Sequence, residues 1–335
     1  MNKGAWTYLL ELLRLVLCEQ AAKLEPLAPA EWREVYRLAA KHAVIGIAWD
    51  GVEQLQARSP EALQSMPSDL MGKWFADVQT IQTANSRMAK QAADVQELLR
   101  TGGFDSEILK GAALAAYYPK PAHRQAADID LWVLPRLTAN GKPQSLAEYR
   151  KSLLVYLRQQ PDVTIGEVVY HHIETMMGGT EVECHITPTW LCNPKNNRRL
   201  QRMFTQAGQL TPELQELYTL LHAFRHVYHD GIALRHVMDY YLVSRHNRQS
   251  GVPVPTKLYT RLGITGFAQA MDEVAVAILA QGEQPQLPKH AEHILEALPE
   301  RHVSCAVQWD YPPESLYNLP WRGIHYIWRK INHYV

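Results

Sequence analysis

The chain has 335 residues, 47% of them hydrophobic, with Lys+Arg and Asp+Glu both at 34. That length buries a core without staples and leans towards roughly two domains, while the zero balance removes any global positive field for a polynucleotide or an anionic membrane. The four cysteines, Cys18, Cys184, Cys192 and Cys305, show no CxxC spacing, which argues against a zinc ribbon or disulfide framework and fits a reducing cytoplasm.

From Trp6 to about Arg100 apolar residues recur at three and four, as in Leu9, Leu10, Leu13, Val16 and Leu17, then Val78, Ile81 and Met88. This spacing predicts helices, with loops at Glu25–Pro29 and Ser59–Ser68 and an N-cap at Ser68 or Asp69. The early apolar run Tyr8–Cys18 is broken by Glu11 and Arg14, and neither a cleavage site nor an uninterrupted 18-residue apolar span follows. A soluble, unexported cytoplasmic protein without a membrane span is therefore expected.

After Gly102-Gly103 short apolar runs predict strands at Ser106–Leu109, Ile129–Leu134, Glu167–Thr175 and Glu181–Ile186, the last two joined at Gly178-Gly179 as a hairpin. Helices are predicted at Ala112–Tyr118, stopped by Pro119 and Pro121, and at Ser145–Gln159. Beyond Pro194 the pattern is helical again, with Thr211-Pro212-Glu213 opening a helix over Leu214–Tyr228. The last segment, Trp321–Val335, mixes aromatics with Arg322, Arg329, Lys330 and His333; it reads as a terminal helix packed on its own domain before a membrane or partner helix. Arg198, Arg199 and Arg202 form a local basic patch that leaves a nucleic-acid partner open.

Asp128 and Asp130 stand at i and i+2 of a predicted strand, so both carboxylates leave on one face. Two such anions need water or cations, and hard oxygen ligands suit Mg²⁺ or Mn²⁺. Upstream, Leu109-Lys110-Gly111-Ala112-Ala113 ends a strand and opens a helix, a place where backbone N–H groups receive phosphate. Lys110 and Arg124 add a mobile cation and a planar fork for phosphate oxygens; the plainer reading makes Gly111 a turn glycine and the two cations solvated surface charges.

In order, the motifs run Leu109-Lys110-Gly111, Leu114, Tyr118-Pro119-x-Pro121, Arg124, Asp128-Ile129-Asp130-Leu131, Val182-Glu183-x-His185, Gly231-Ile232-x-Leu234-Arg235 and Asp239. Across roughly Asn85–Val243 this order resembles the uncharacterised bacterial nucleotidyltransferases of the polymerase-beta-like superfamily. In that family a glycine usually precedes the first aspartate; here Ala127 does, a strained position if a positive φ is required.

The resemblance implies that Asp128, Asp130 and Glu183 hold Mg²⁺ or Mn²⁺ and catalyse transfer of a nucleoside monophosphate from a nucleoside triphosphate to a hydroxyl acceptor, releasing pyrophosphate. Period two independently groups Glu181, Glu183 and His185 on one face, with Val182, Cys184 and Ile186 facing the core, and Glu183 is preferred over the turn-proximal Glu181. Lys110, Gly111, Ala112, Arg124, His185, His222, Arg235 and Asp239 are the candidate substrate contacts. Arg235 and Asp239 also read as an ordinary i, i+4 surface pair.

His222, His226 and His229 share a helix face, but His222-Ala223-Phe224-Arg225-His226 lacks the glutamate of HExxH, so a zinc protease is disfavoured and one or two of these histidines are expected in the cleft. His171 and His172 are expected on opposite strand faces, with at most one at the site.

The expected fold is α+β: a small mixed nucleotidyltransferase-type sheet at residues 96–192, between helical domains at 1–95 and 193–335. The acceptor is open, a small molecule or protein being favoured over a polynucleotide. Rival readings are a nucleotide-binding pseudoenzyme, against which the three carboxylates speak, and a toxin-like enzyme modifying a protein or tRNA.

Overall fold

The computed structural model describes residues 3–18, 24–134, 144–229 and 231–279, with 291, 294, 295 and 298. The segment Trp321–Val335 and Cys305, singled out above, lie outside the described residues.

The architecture is α+β, a five-stranded mixed sheet flanked on both sides in sequence by helices. Four helices come first: α1 (Lys3–Cys18), α2 (Pro29–Lys41), α3 (Ile45–Arg58) and α4 (Ser68–Thr101). Their buried residues follow the three-and-four spacing, Leu9, Leu12, Leu13 and Val16 on α1 among them. On α4, Pro67 is the N-cap and no side chain caps the helix; Ser68 and Asp69 are its first two residues, and Asp69 pairs instead with Arg33 of α2.

The sheet order is β1-β2-β5-β4-β3, from β1 (Ser106–Ile108), β2 (Ile129–Val133), β3 (Val163–Val168), β4 (His172–Met177) and β5 (Thr180–His185). Only β2 and β5 run parallel; the other neighbours are antiparallel. Gly178 and Gly179, with φ of 55° and 75°, make the tight β4–β5 turn, a conformation that side-chain-bearing residues resist.

The single strand expected over Glu167–Thr175 is in fact the end of β3 and the start of β4, with a bend at residues 169–171. β3 is an edge strand with an irregularity between Ile165 and Val168, and its residues are half-buried or exposed, so no apolar run marks it. The helix expected over Ala112–Tyr118 is one turn, α5 (Ala112–Ala115). Its end tightens because Tyr117 and Tyr118 donate to carbonyls three residues back rather than four. Between β2 and β3 lies α6 (Leu146–Arg158), whose N-cap Ser145 exchanges hydrogen bonds with Glu148.

Helices α7 (Pro194–Ala207), α8 (Pro212–His229), α9 (Leu234–Gln249), α10 (Thr256–Leu262) and α11 (Thr265–Leu279) complete the described chain. They share one core with α1–α3 and the first half of α4. A second core lies under the sheet, where Met88, Val95 and Leu99 of α4 and Leu153 and Leu157 of α6 meet Ile129, Leu131, Val182 and Cys184. α4 thus serves both cores without a break through residue 95. Among the described residues no helix is long and apolar enough to cross a membrane.

Candidate active site

The sheet turns one face to the second core and the other to α8. Ile129, Leu131, Val182 and Cys184 fill the first, as period two requires. The alternate residues therefore line up on the second: Asp130 is the direct partner of Glu183 across the parallel β2–β5 pair, Glu174 is Glu183's partner on β4, and His172 is the partner of His185. Asp128, two residues before Asp130, joins Asp130, Glu183, His172 and His185 at a cavity of about 240 Å³ that also takes in His222 of α8. Glu181 is exposed near the Gly-Gly turn and does not line this cavity.

Lys110, from the turn after β1, reaches over this face. Its Nζ is 3.1 Å from Asp128 Oδ2 and 3.0 Å from Asp130 Oδ2. Asp130 is 1% exposed, and its Oδ2 accepts no hydrogen bond although it faces that ammonium. Its Oδ1 lies 2.9 Å from His185 Nε2, which is also 3.0 Å from Glu183 Oε2. Burial holds the His185 imidazole below its ordinary pKa, against the opposing pull of the Glu183 carboxylate. Burial alone would raise the Glu183 carboxyl, but the N–H of His185 and the charge of Lys110 outweigh it, so Glu183 stays ionised. Burial, then the neighbouring His185, pushes His172 down to about 3.

These donors fit a divalent cation. Asp130, Glu183 and His185 offer ligand atoms all within 4.8 Å of one another, as do His172, Glu174 and Glu183. The buried, hydrogen-bond-free Asp130 Oδ2 calls for a positive charge, which Lys110 supplies from one side.

Gly111 adopts φ +62° and ψ −116°, a backbone that only glycine holds without strain, so chain reversal into α5 depends on it. α5 is a single turn, too short for a substantial dipole, which leaves Lys110 as the main positive feature of this motif. Gly111, Ala112, Arg124 and Asp128 line a second cavity of about 230 Å³, with Met88, Ala89 and Ala92 of α4 behind them. The two cavities share Lys110 and Asp128 as lining residues. Ala127 does not take a positive φ, so alanine before Asp128 is unstrained.

Arg124 is placed differently from a free phosphate fork. It is buried, its Nε and Nη2 donate to Asp239 Oδ1 and Oδ2 at 2.8 and 2.7 Å, and its Nη1 donates to Gly111 O at 3.3 Å. Tyr118 Oη also donates to Asp239 Oδ1, at 2.7 Å. Asp239 is therefore the anchor of Arg124, not an i, i+4 partner of Arg235, whose Nη1 donates to Gln125 O at 2.9 Å. Neither Asp239 nor Arg235 lines either cavity; both fix the chain that leads into β2. Asn85 of α4 does the same, donating to the carbonyls of Ala122 and Arg124.

His171 and His172 both reach the first cavity, contrary to the alternation expected of a strand. β4 begins at His172, so His171 sits in the preceding bend, where period two does not apply, and its ring centroid is 4.4 Å from that of His172. His222 and His226 line the same cavity, and the side chain of His229 lies outside the described residues. Tyr218 and Arg225 line it too and were not among the expected contacts. The signal was available: Tyr218, His222 and Arg225 stand at i, i+4 and i+7 on one face of α8.

Residues 28–279 match the model of a family described as "Uncharacterised nucleotidyltransferase". No curated protein and no solved structure matches the chain.

Proposed function

We propose that this chain, which belongs to the uncharacterised nucleotidyltransferase family, moves a nucleoside monophosphate from a nucleoside triphosphate to a hydroxyl acceptor and releases pyrophosphate. The observation that carries this is the register of β2 and β5, in which Asp130 is opposite Glu183, with Asp128 in the bend just before β2 lining the same cavity. Divalent ions, when bound by Asp128, Asp130 and Glu183, would neutralise the triphosphate and lower the pKa of the acceptor hydroxyl.

The residues of the chain divide the remaining work. Ala89, Ala92 and Ile129 give the second cavity an apolar wall suited to a base, and Gly111 brings the backbone close to it. Lys110 contacts both aspartates and is the cation nearest to a phosphate tail lying between the cavities. The first cavity contains Glu183 but not Gly111, which favours it as the place for the acceptor. The acceptor oxygen attacks the α-phosphorus in line, the bond to the bridging oxygen breaks, and pyrophosphate carries away the charge. Arg124 and Asp239 act by holding the Gly111 turn.

The test is incubation with each of the four α-labelled triphosphates and Mg²⁺ or Mn²⁺ in cell extract. Label should pass to one acceptor class with the wild type and not with Asp128→Asn or Asp130→Asn. An extract in which none of the four labels is transferred overturns the reading.

A further inference from the structure

We propose that His185 is itself a metal ligand, completing with Asp130 and Glu183 a mixed nitrogen–oxygen site that takes a divalent transition-metal ion in preference to Mg²⁺. This deepens the transfer reading above and rests on it.

The first observation is spacing. His185 Nε2 is 2.9 Å from Asp130 Oδ1 and 3.0 Å from Glu183 Oε2. Adjacent ligands of an octahedral ion with bonds of about 2.1 Å stand about 3.0 Å apart. Both separations from the nitrogen thus match what one ion requires, the three residues offer ligand atoms within 4.8 Å of one another, and they come from two paired strands whose register fixes them.

The second is the count of protons. An imidazole Nε2 carries at most one proton, and a hydrogen bond weakens steeply as its angle falls. A single proton on Nε2 cannot point well at two oxygens, whereas one cation accepts both oxygens and the nitrogen lone pair together. His185 Nδ1 is buried and makes no hydrogen bond, so Nε2 is the nitrogen that the fold turns to the carboxylates.

The third is the way Asp130 divides itself. Its Oδ2 faces Lys110 together with Asp128, and its Oδ1 faces His185 together with Glu183. One carboxylate therefore borders two cation positions of different chemistry, the first with oxygen ligands alone and the second with an imidazole. Imidazole nitrogen binds later first-row ions much better than Mg²⁺, which prefers oxygen and retains its water.

The probe is Mn²⁺ added to the full chain, followed by calorimetry and by pulsed electron paramagnetic resonance. The wild type should bind Mn²⁺ at least about tenfold more tightly than Mg²⁺, and its spectrum should show a directly bonded ¹⁴N coupling that becomes a ¹⁵N coupling in protein grown on ¹⁵N-histidine. His185→Gln should lose that coupling, while His172→Gln, altering the neighbouring ring, should keep it. Should His185→Gln fail to fold, the labelled wild type still decides between nitrogen and oxygen ligation. Bound Mn²⁺ without nitrogen coupling, coupling retained in a folded His185→Gln, or no Mn²⁺ binding at millimolar concentration overturns the proposal. Nitrogen-coupled Mn²⁺ in a protein that labels no acceptor upholds His185 as a ligand and overturns the transfer reading instead.

Discussion

Arg124 and Asp239, 115 residues apart in sequence, meet through two hydrogen bonds of 2.8 and 2.7 Å in a buried, bidentate ion pair. Breaking such a pair from one side leaves an uncompensated charge in the interior, at a cost of about 3–5 kcal/mol. Arg124→Ala and Asp239→Ala should each lower stability by that amount in urea denaturation, and the double variant should lose much less than their sum. Additive losses would mean that the two side chains are not coupled.

The two aspartates at the centre of the site should separate fold from activity. Asp128→Asn or Asp130→Asn keeps the volume of the side chain and removes the charge that a divalent ion needs. Circular dichroism should be unchanged, while transfer of α-label falls by at least about a hundredfold. Turnover within a few-fold of wild type in the double variant would remove these residues from catalysis.

Lys110 neutralises Asp128 and Asp130 from one side. In Lys110→Met the carboxylates repel one another without that ammonium, so the metal-free melting temperature should drop. The gain on adding Mn²⁺ should exceed that of the wild type, since an ion at a hundred times its Kd contributes about 2.7 kcal/mol and meets no competing cation. Equal gains in both proteins would show that the ammonium and the ion do not share a position.

Stability should fall with acid because His172, ordinarily titrating at 6.5, is pushed down to about 3 in the folded protein. The unfolded chain then binds the extra proton, so stability is full above pH 6.5 and declines as pH falls towards 3. At pH 5 the contribution of this one residue is about 2 kcal/mol. Denaturation of wild type and His172→Gln at pH 7.5 and pH 5 checks it: the variant should lose about 2 kcal/mol less, and parallel losses would place the titration elsewhere.

What could be read from the sequence was what local periodicity controls. Two-residue alternation puts Glu183 with His185 on one face of β5, as expected, whereas Asp128, expected in the strand, lies in the bend before β2 and still lines the same cavity as Asp130. His171 escaped because its orientation depends on where β4 begins, one residue later. The role of Arg124 escaped because its partner lies on α9, and a cation a few residues before two aspartates looks from nearby like a phosphate ligand. The edge strand β3 escaped because half-buried alternation with a glycine gives too weak a pattern.

The junction of the first and last described helices bears on how the protein is made. Arg14 of α1 donates to the carbonyls of Ala277 and Ile278 in α11, across 263 and 264 residues. At a ribosomal rate of roughly 5–20 residues per second, α1 emerges about 13–50 s before that partner exists. During that interval Leu9, Leu12 and Leu13, all fully buried in the finished fold, lack the C-terminal part of the core that covers them. Neither α1 nor α11 can complete the native packing alone, so removal of α1 would leave the α11 side of their shared core uncovered.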